Sequence, residues 1–265
     1  MLEAISGLVE LGLLGLSFAI GVRLLRMAPA GARGPERWLG LYFVVYSGIA
    51  TALSVGTYVG WSSASITLPD AAVRSMNAGF FATSTFGLTC LLLFTQRTFR
   101  PASRGAATGI GVTIGIMVSM GIWLGVDDGF AIRLLPGPAY WIHWTARLSA
   151  WIWVAGESFA YWAKQRRRLA LGLADPVVTN RFLLWGVWGA LTTVMAFADP
   201  LARVWYFRLS GSTSQWVVEV GRPIIQVVVS LTCGLNIGAV ALLFLTFFPT
   251  AGYKRWLTAR HPARA

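Results

Sequence analysis

The chain of 265 residues is 56% hydrophobic and only 12% charged, with 13 Trp and a mean hydropathy of +0.63. About a quarter of the residues of a soluble domain are charged, so this chain cannot cover its own surface in water. That excludes a soluble enzyme, a secreted disulfide scaffold and a disordered tail. A formal charge of +12 would suit nucleic acid, but its distribution along the chain follows a membrane, and no nucleic-acid partner is expected.

A bilayer is crossed by about 20 mostly apolar helical residues. Such stretches run at 4–26, 38–60, 75–96, 106–126, 139–163, 181–200 and 222–248. The expected fold is all-α: a polytopic seven-transmembrane-helix bundle over residues 1–249, followed by a short basic cytoplasmic tail at 250–265. The first span carries Glu3 and no basic residue ahead of it, and Arg23 and Arg26 behind it. This is the charge order of a retained anchor, not of a cleaved signal peptide. Basic residues gather near 23–37, 97–104, 164–181 and 254–264, alternating with connections that hold most of the acids. By the positive-inside rule the N-terminus is outside and the C-terminus cytoplasmic. The strong preference for Arg over Lys fits a GC-rich bacterial genome, and the expected location is a bacterial inner (plasma) membrane.

Trp61, Trp123, Tyr140, Trp141, Trp144, Trp205, Tyr206 and Trp216 are expected near the outer boundary. Trp38, Trp162, Tyr253 and Trp256 are expected near the inner one, as amphipathic rings prefer that level. Gly56 and Gly60 in the second span, and Gly111 and Gly115 in the fourth, are small-xxx-small pairs. They suit close packing inside the bundle or, alternatively, a homodimer seam.

Ionisable groups at membrane depth are costly and often functional. In the fifth span His143, Arg147, Glu157 and Tyr161 fall within roughly 80° of one another on the helical wheel. Arg147 and Glu157 are separated by about 15 Å along the axis, so each needs another partner. Asn77, Asp199, Glu219, Arg222 and Gln226 begin or end neighbouring spans at the outer level. With His143 and Arg147 they are expected to form a polar cluster, read either as a ligand-binding pocket or as an ion-pair network tying helices together. For Glu157 the expected partners are Arg97 or Arg181. Asn236 reads as an interhelical hydrogen-bonding residue.

Absences narrow the chemistry. The lysines, Lys164 and Lys254, sit at cytoplasmic ends, so a retinal Schiff base has no attachment point. His143 is the one histidine inside a span, so bis-His haem and an intramembrane metallohydrolase lack ligands. Cys90 and Cys233 lie singly in apolar runs and read as small buried residues. No nucleophile elbow, P-loop or dinucleotide fingerprint occurs. No cofactor, metal or catalytic activity is expected.

The stretch after the fifth span, KQRRRLALGLADPVVTNR, holds a basic knot of Lys164, Arg166, Arg167 and Arg168. Asp175-Pro176 follows as a turn and helix cap. The knot reads as a positive-inside anchor or as a docking surface for a cytoplasmic or membrane protein. At this stretch, and at FLTFFPTAGYKRW over 244–256, the chain resembles uncharacterised bacterial seven-helix membrane proteins. These are similar in layout to the seven-span sensing regions found ahead of bacterial signalling domains. The resemblance implies a sensor-type module, here with no output domain expected after the last span.

The expected function is a receptor-like or sensory bundle that takes a small apolar or lipid-like ligand in its outer half and signals through a separate partner. One rival is a transporter or proton-coupled carrier using Glu157. The other is a structural or assembly subunit of a larger membrane complex.

Overall fold

The computed structural model describes residues 2–27, 34–62, 68–131, 137–210 and 215–260, with side chains described for all of these except 2–10, 58–62, 199–226, 228–230, 233 and 260. The described chain is helical, with no strand. Its elements are α1 (Leu2–Met27), α2 (Pro35–Tyr42), a π-helical segment (Phe43–Ala50), α3 (Thr51–Ser62), α4 (Asp70–Phe99), α5 (Arg104–Asp128), α6 (Pro138–Ala170), α7 (Pro176–Ser210), α8 (Gln215–Phe247) and α9 (Ala251–Arg260). α2, the π segment and α3 form one unbroken rod. Each of the seven expected apolar stretches therefore lies in a long helix. Among the described residues four helices are long and apolar enough to cross a membrane: Pro35–Thr57, Asp70–Phe99, Arg104–Asp128 and Pro176–Ala198. A fifth is added if Gly234–Phe247 and Ala251–Ala259, bent by 80°, count as one broken span.

Two expected connections are mostly helix. α6 continues through the basic knot to Ala170, and α7 runs on through Ser210. Lys and Arg are good helix formers, and cations suit the negative end of the helix dipole, so the knot extends α6 and does not terminate it. The turn that remains uses Gly172 at φ +73°, a left-handed conformation that glycine adopts without strain. Asp175 then caps α7, its Oδ1 accepting from the backbone N–H of Val177 at 2.6 Å and of Val178 at 3.1 Å, with Pro176 at the first helical position. The described part of the expected tail is likewise helical to Arg260: α9 turns off α8 just past Pro249, which cannot continue a helix.

Six rods close a ring. α1 packs on α2 and the π segment, these with α3 pack on α4, α4 on α6, α6 on α7, α7 on α8, and α8 returns to α1. α5 lies outside the ring against α4 and α6. This placement separates the two glycine pairs, although Gly60 lies outside the described side chains. Gly56 meets the Met76 side chain, whereas Gly111 and Gly115 on α5 face open space beside exposed Val112, Ile122, Trp123 and Val126. The α5 pair is thus no internal seam. The closest backbone approach that sequence missed is at Gly21 of α1, where a Cβ would stand 2.9 Å from the Gly40 carbonyl oxygen of α2. Threonine hydroxyls throughout the rods bond back to the carbonyl four residues earlier, as Thr57, Thr83, Thr95, Thr192 and Thr246 do. This satisfies a hydroxyl internally where water is absent.

The ends of the rods differ in charge. One end gathers the C-termini of α1, α4 and α6, the N-termini of α5 and α7, and α9, with Arg26, Arg97, Arg104, Arg167 and Lys254 among its side chains. The opposite end holds Asp70, Asp127 and Asp128, with Arg74 paired to Asp70 at 2.6 Å and donating to the Asp128 carbonyl at 3.0 Å.

Candidate functional site

The bundle interior is aromatic before it is polar. Tyr42 and Tyr46, one turn apart, stack at 5.4 Å. Phe43 stands between Tyr42, Trp185, Trp188 and Phe247 at 5.2 to 6.1 Å, and Trp185 and Trp188 stack at 4.5 Å. The π segment begins within this group of rings, at Phe43. Tyr42, Phe43 and Tyr46 share one face of the rod, and in its wider turn the Tyr46 carbonyl accepts from both the backbone N–H and, at 3.2 Å, the side chain of Thr51. Gly87 of α4 makes room for this bulge: a Cβ there would lie 2.6 Å from Tyr46 Cβ and 3.1 Å from its Cα.

Against this column α6 presents Trp151, Arg147 and His143. The Trp151 indole N–H donates to the Tyr42 hydroxyl at 3.2 Å. Arg147 is 9% exposed. It donates to the Tyr46 hydroxyl from Nη2 at 3.3 Å and lies over the Phe80 ring at 4.9 Å. Its Nε is buried with no hydrogen-bond partner, and no carboxylate pairs with it among the described residues. His143 is 1% exposed, edge-on to Phe81, with its Nε2 3.4 Å from the Thr85 hydroxyl. The site therefore joins α2, the π segment, α4 and α6: an aromatic wall, three hydroxyls and a guanidinium with donor capacity in reserve.

The other predicted residues fall in different places. The Asn77 amide donates to the Phe130 carbonyl at 2.8 Å, in the turn after α5, so it braces that connection. Asp199, Glu219, Arg222 and Gln226 lie outside the described side chains, as does Cys233. Glu157 pairs with Arg100, whose Nε donates at 2.5 Å, instead of the expected Arg97 or Arg181; Trp153 Nε1 donates to the same oxygen at 3.0 Å. The reason is reach. Arg100 lies just past the end of α4, free of that helix, while Arg97 lies over the Trp38 ring at 4.8 Å. Tyr161 packs between Phe99 and Phe182. Lys164, Arg166, Arg167 and Arg168 are exposed on the last turns of α6.

The Glu157 pair is asymmetric, with side-chain exposures of 12% for Glu157 and 56% for Arg100. Arg100→Gln leaves the largely covered Glu157 carboxylate with the Trp153 indole N–H and no cation, whereas Glu157→Gln leaves a guanidinium that water can solvate. Arg100→Gln is expected to lower the melting temperature in detergent more than Glu157→Gln does, and the reverse order would refute the assignment.

Of the residues expected from sequence, His143 and Arg147 lie on this wall; Tyr42, Tyr46, Thr85 and Trp151 were not among those expected. The available signal was the four-residue spacing of Tyr42 to Tyr46 and of Arg147 to Trp151, which stacks each pair on one face. Among the described residues no group of His, Cys, Asp or Glu is placed to hold a metal. Compared with known protein families, with curated proteins and with solved structures, the chain matches none.

Proposed function

We propose that the chain is a receptor-like seven-span membrane protein that takes a small, largely apolar ligand with an anionic end at Arg147. The observation that carries this is the buried guanidinium with an unpartnered Nε and no carboxylate among the described residues. Desolvating a cation without a counter-ion costs several kcal/mol, so such a group is either a defect or half of an interaction. An anion at Arg147 offsets that cost, while the rings of Tyr46, Phe80 and Trp151 suit the apolar body of the ligand. The adjoining π segment supports the reading, since π-bulges recur at functional sites.

The same α6 that carries Arg147 ends in the exposed knot of Lys164 and Arg166–Arg168. A displacement at the site is therefore transmitted along one helix to a surface suited to a separate cytoplasmic or membrane partner. Charge segregation between the ends supports an N-terminus outside and a basic cytoplasmic face, in a bacterial inner membrane. The carrier reading draws less support, because Glu157 is engaged by both Arg100 and Trp153.

The test is native mass spectrometry of the particle purified in mild detergent. It is expected to carry a small anionic molecule that Arg147→Gln loses. A particle without such a mass, or one that keeps it in Arg147→Gln, overturns the proposal. A protein partner of fixed stoichiometry in its place would favour an assembly subunit.

A further inference from the structure

The outer flank of α1 holds a hollow of about 460 Å³ lined by Phe18, Ala19, Val22, Arg23, Arg26 and Met27. Its order along the helix is informative. Successive rows four residues apart run from Phe18 through Val22 to Arg26, and from Ala19 to Arg23. The flank rises about 12 Å from Phe18 to Arg26, its apolar half a lane leading to two guanidiniums at the basic end of the bundle. Arg23 is held in place from the neighbouring rod, its guanidinium 4.8 Å over the Phe248 ring at the bend between α8 and α9. Neither Arg23 nor Arg26 forms an ion pair among the described residues, and both are exposed. α9 adds exposed Lys254 and Arg255 at the same end.

An occupant of this flank must tolerate hydrocarbon along Phe18, Ala19 and Val22 and satisfy two cations spaced three residues apart. A zwitterionic lipid brings its own cation to the headgroup and is repelled there. A free phosphate gains nothing from the lane. We infer that the hollow is a seat for one anionic phospholipid, its acyl chain along Phe18 and Val22 and its phosphate between Arg23 and Arg26. Guanidinium suits this role because its planar fork donates to phosphate in a bidentate way. The site stands apart from Arg147, which lies on a different helix inside the ring.

The experiment presents the detergent-purified full chain with an equal mixture of phosphatidylglycerol and phosphatidylcholine of matched dioleoyl chains, and reads retained lipid by native mass spectrometry. The wild type is expected to retain phosphatidylglycerol at least about five-fold over phosphatidylcholine. Arg23→Gln with Arg26→Gln is expected to bring the ratio close to one. Lys254→Gln with Arg255→Gln, which removes the same charge from the same end, is expected to keep the preference, as is Arg147→Gln. Ala19→Trp fills the lane without touching a cation and is expected to lower phosphatidylglycerol retention about as far as the arginine pair does. Equal retention of the two lipids by the wild type overturns the inference without reference to any variant. So does an equal loss in the Lys254 and Arg255 pair, which would mean diffuse charge attraction. Undiminished binding in Ala19→Trp, with displacement by millimolar inorganic phosphate, would mean a phosphate site and no lipid seat.

Discussion

Phe43→Ala is expected to destabilise the protein by about 3–5 kcal/mol, the range for removing a fully buried aromatic ring. Phe43 has no exposed surface and meets rings from three rods: Tyr42 beside it, Trp185 and Trp188 on α7, and Phe247 on α8. The spread of the cost in such substitutions depends on how well the site collapses. Here collapse is poor. α1 and α2 already touch at Gly21 and Gly40 with no room for a Cβ, and Trp185 and Trp188 are fixed against each other. The void therefore persists. Phe197 and Phe86 are the controls: both are about half exposed, on the outer flanks of α7 and α4, and their alanine variants are expected to cost less than about 1 kcal/mol. Equilibrium unfolding in mixed detergent micelles reads all three. A Phe43→Ala loss no greater than that of the controls would mean that the ring hub does not hold α2, α7 and α8 together.

Why the hub escaped the sequence is a matter of period. In a water-soluble helix, polar residues mark the outer face by contrast. A rod that faces hydrocarbon outside and a core inside is apolar all round, and the contrast vanishes. The existence of long apolar helices was legible from composition and run length alone, because those depend on the membrane's thickness and not on which face turns inward. The direction of each face was not legible. Gly111 and Gly115 looked like a packing seam and turn outward, while Gly21, Gly40 and Gly87, which carry the close approaches, sat in less conspicuous contexts. The π segment is invisible in composition, since FVVYSGIA reads as ordinary apolar helix. Charged residues were the exception. Arg147 and His143 stood out because their residue types are rare inside apolar runs, yet their partners did not, as those partners are hydroxyls and rings from rods distant in sequence.

That exception leads to the second large effect. Arg147→Met is expected to stabilise the ligand-free protein by about 1–4 kcal/mol, the range seen when buried ionic groups give way to well-packed apolar side chains of similar volume. Most substitutions in a packed interior destabilise, so the sign is the informative part. It follows from what the guanidinium has and lacks: one hydrogen bond of 3.3 Å to Tyr46, one ring face at Phe80, no carboxylate among the described residues, and a buried Nε with no acceptor. Methionine replaces the stem with a flexible apolar chain that ends near the position of Nε, so it sheds the charge and the Phe80 stacking of the guanidinium while filling much of its volume. The Tyr46 hydroxyl loses a donor, a cost of about 1 kcal/mol that sets the lower bound of the gain. Thermal unfolding of delipidated protein, with and without the anionic molecule recovered from the wild type, measures both halves. Wild type is expected to gain stability on adding the ligand, as any species that binds the native state alone must stabilise it, and Arg147→Met is expected to gain nothing. A loss of 2 kcal/mol or more in ligand-free Arg147→Met would show that the protein itself compensates the cation. Arg147 would then be a structural tie between α6 and the π segment, and the binding site would have to be sought elsewhere. Stability given up at one buried position in exchange for an anion site is what a receptor requires, and the sign of this single substitution decides whether Arg147 makes that exchange.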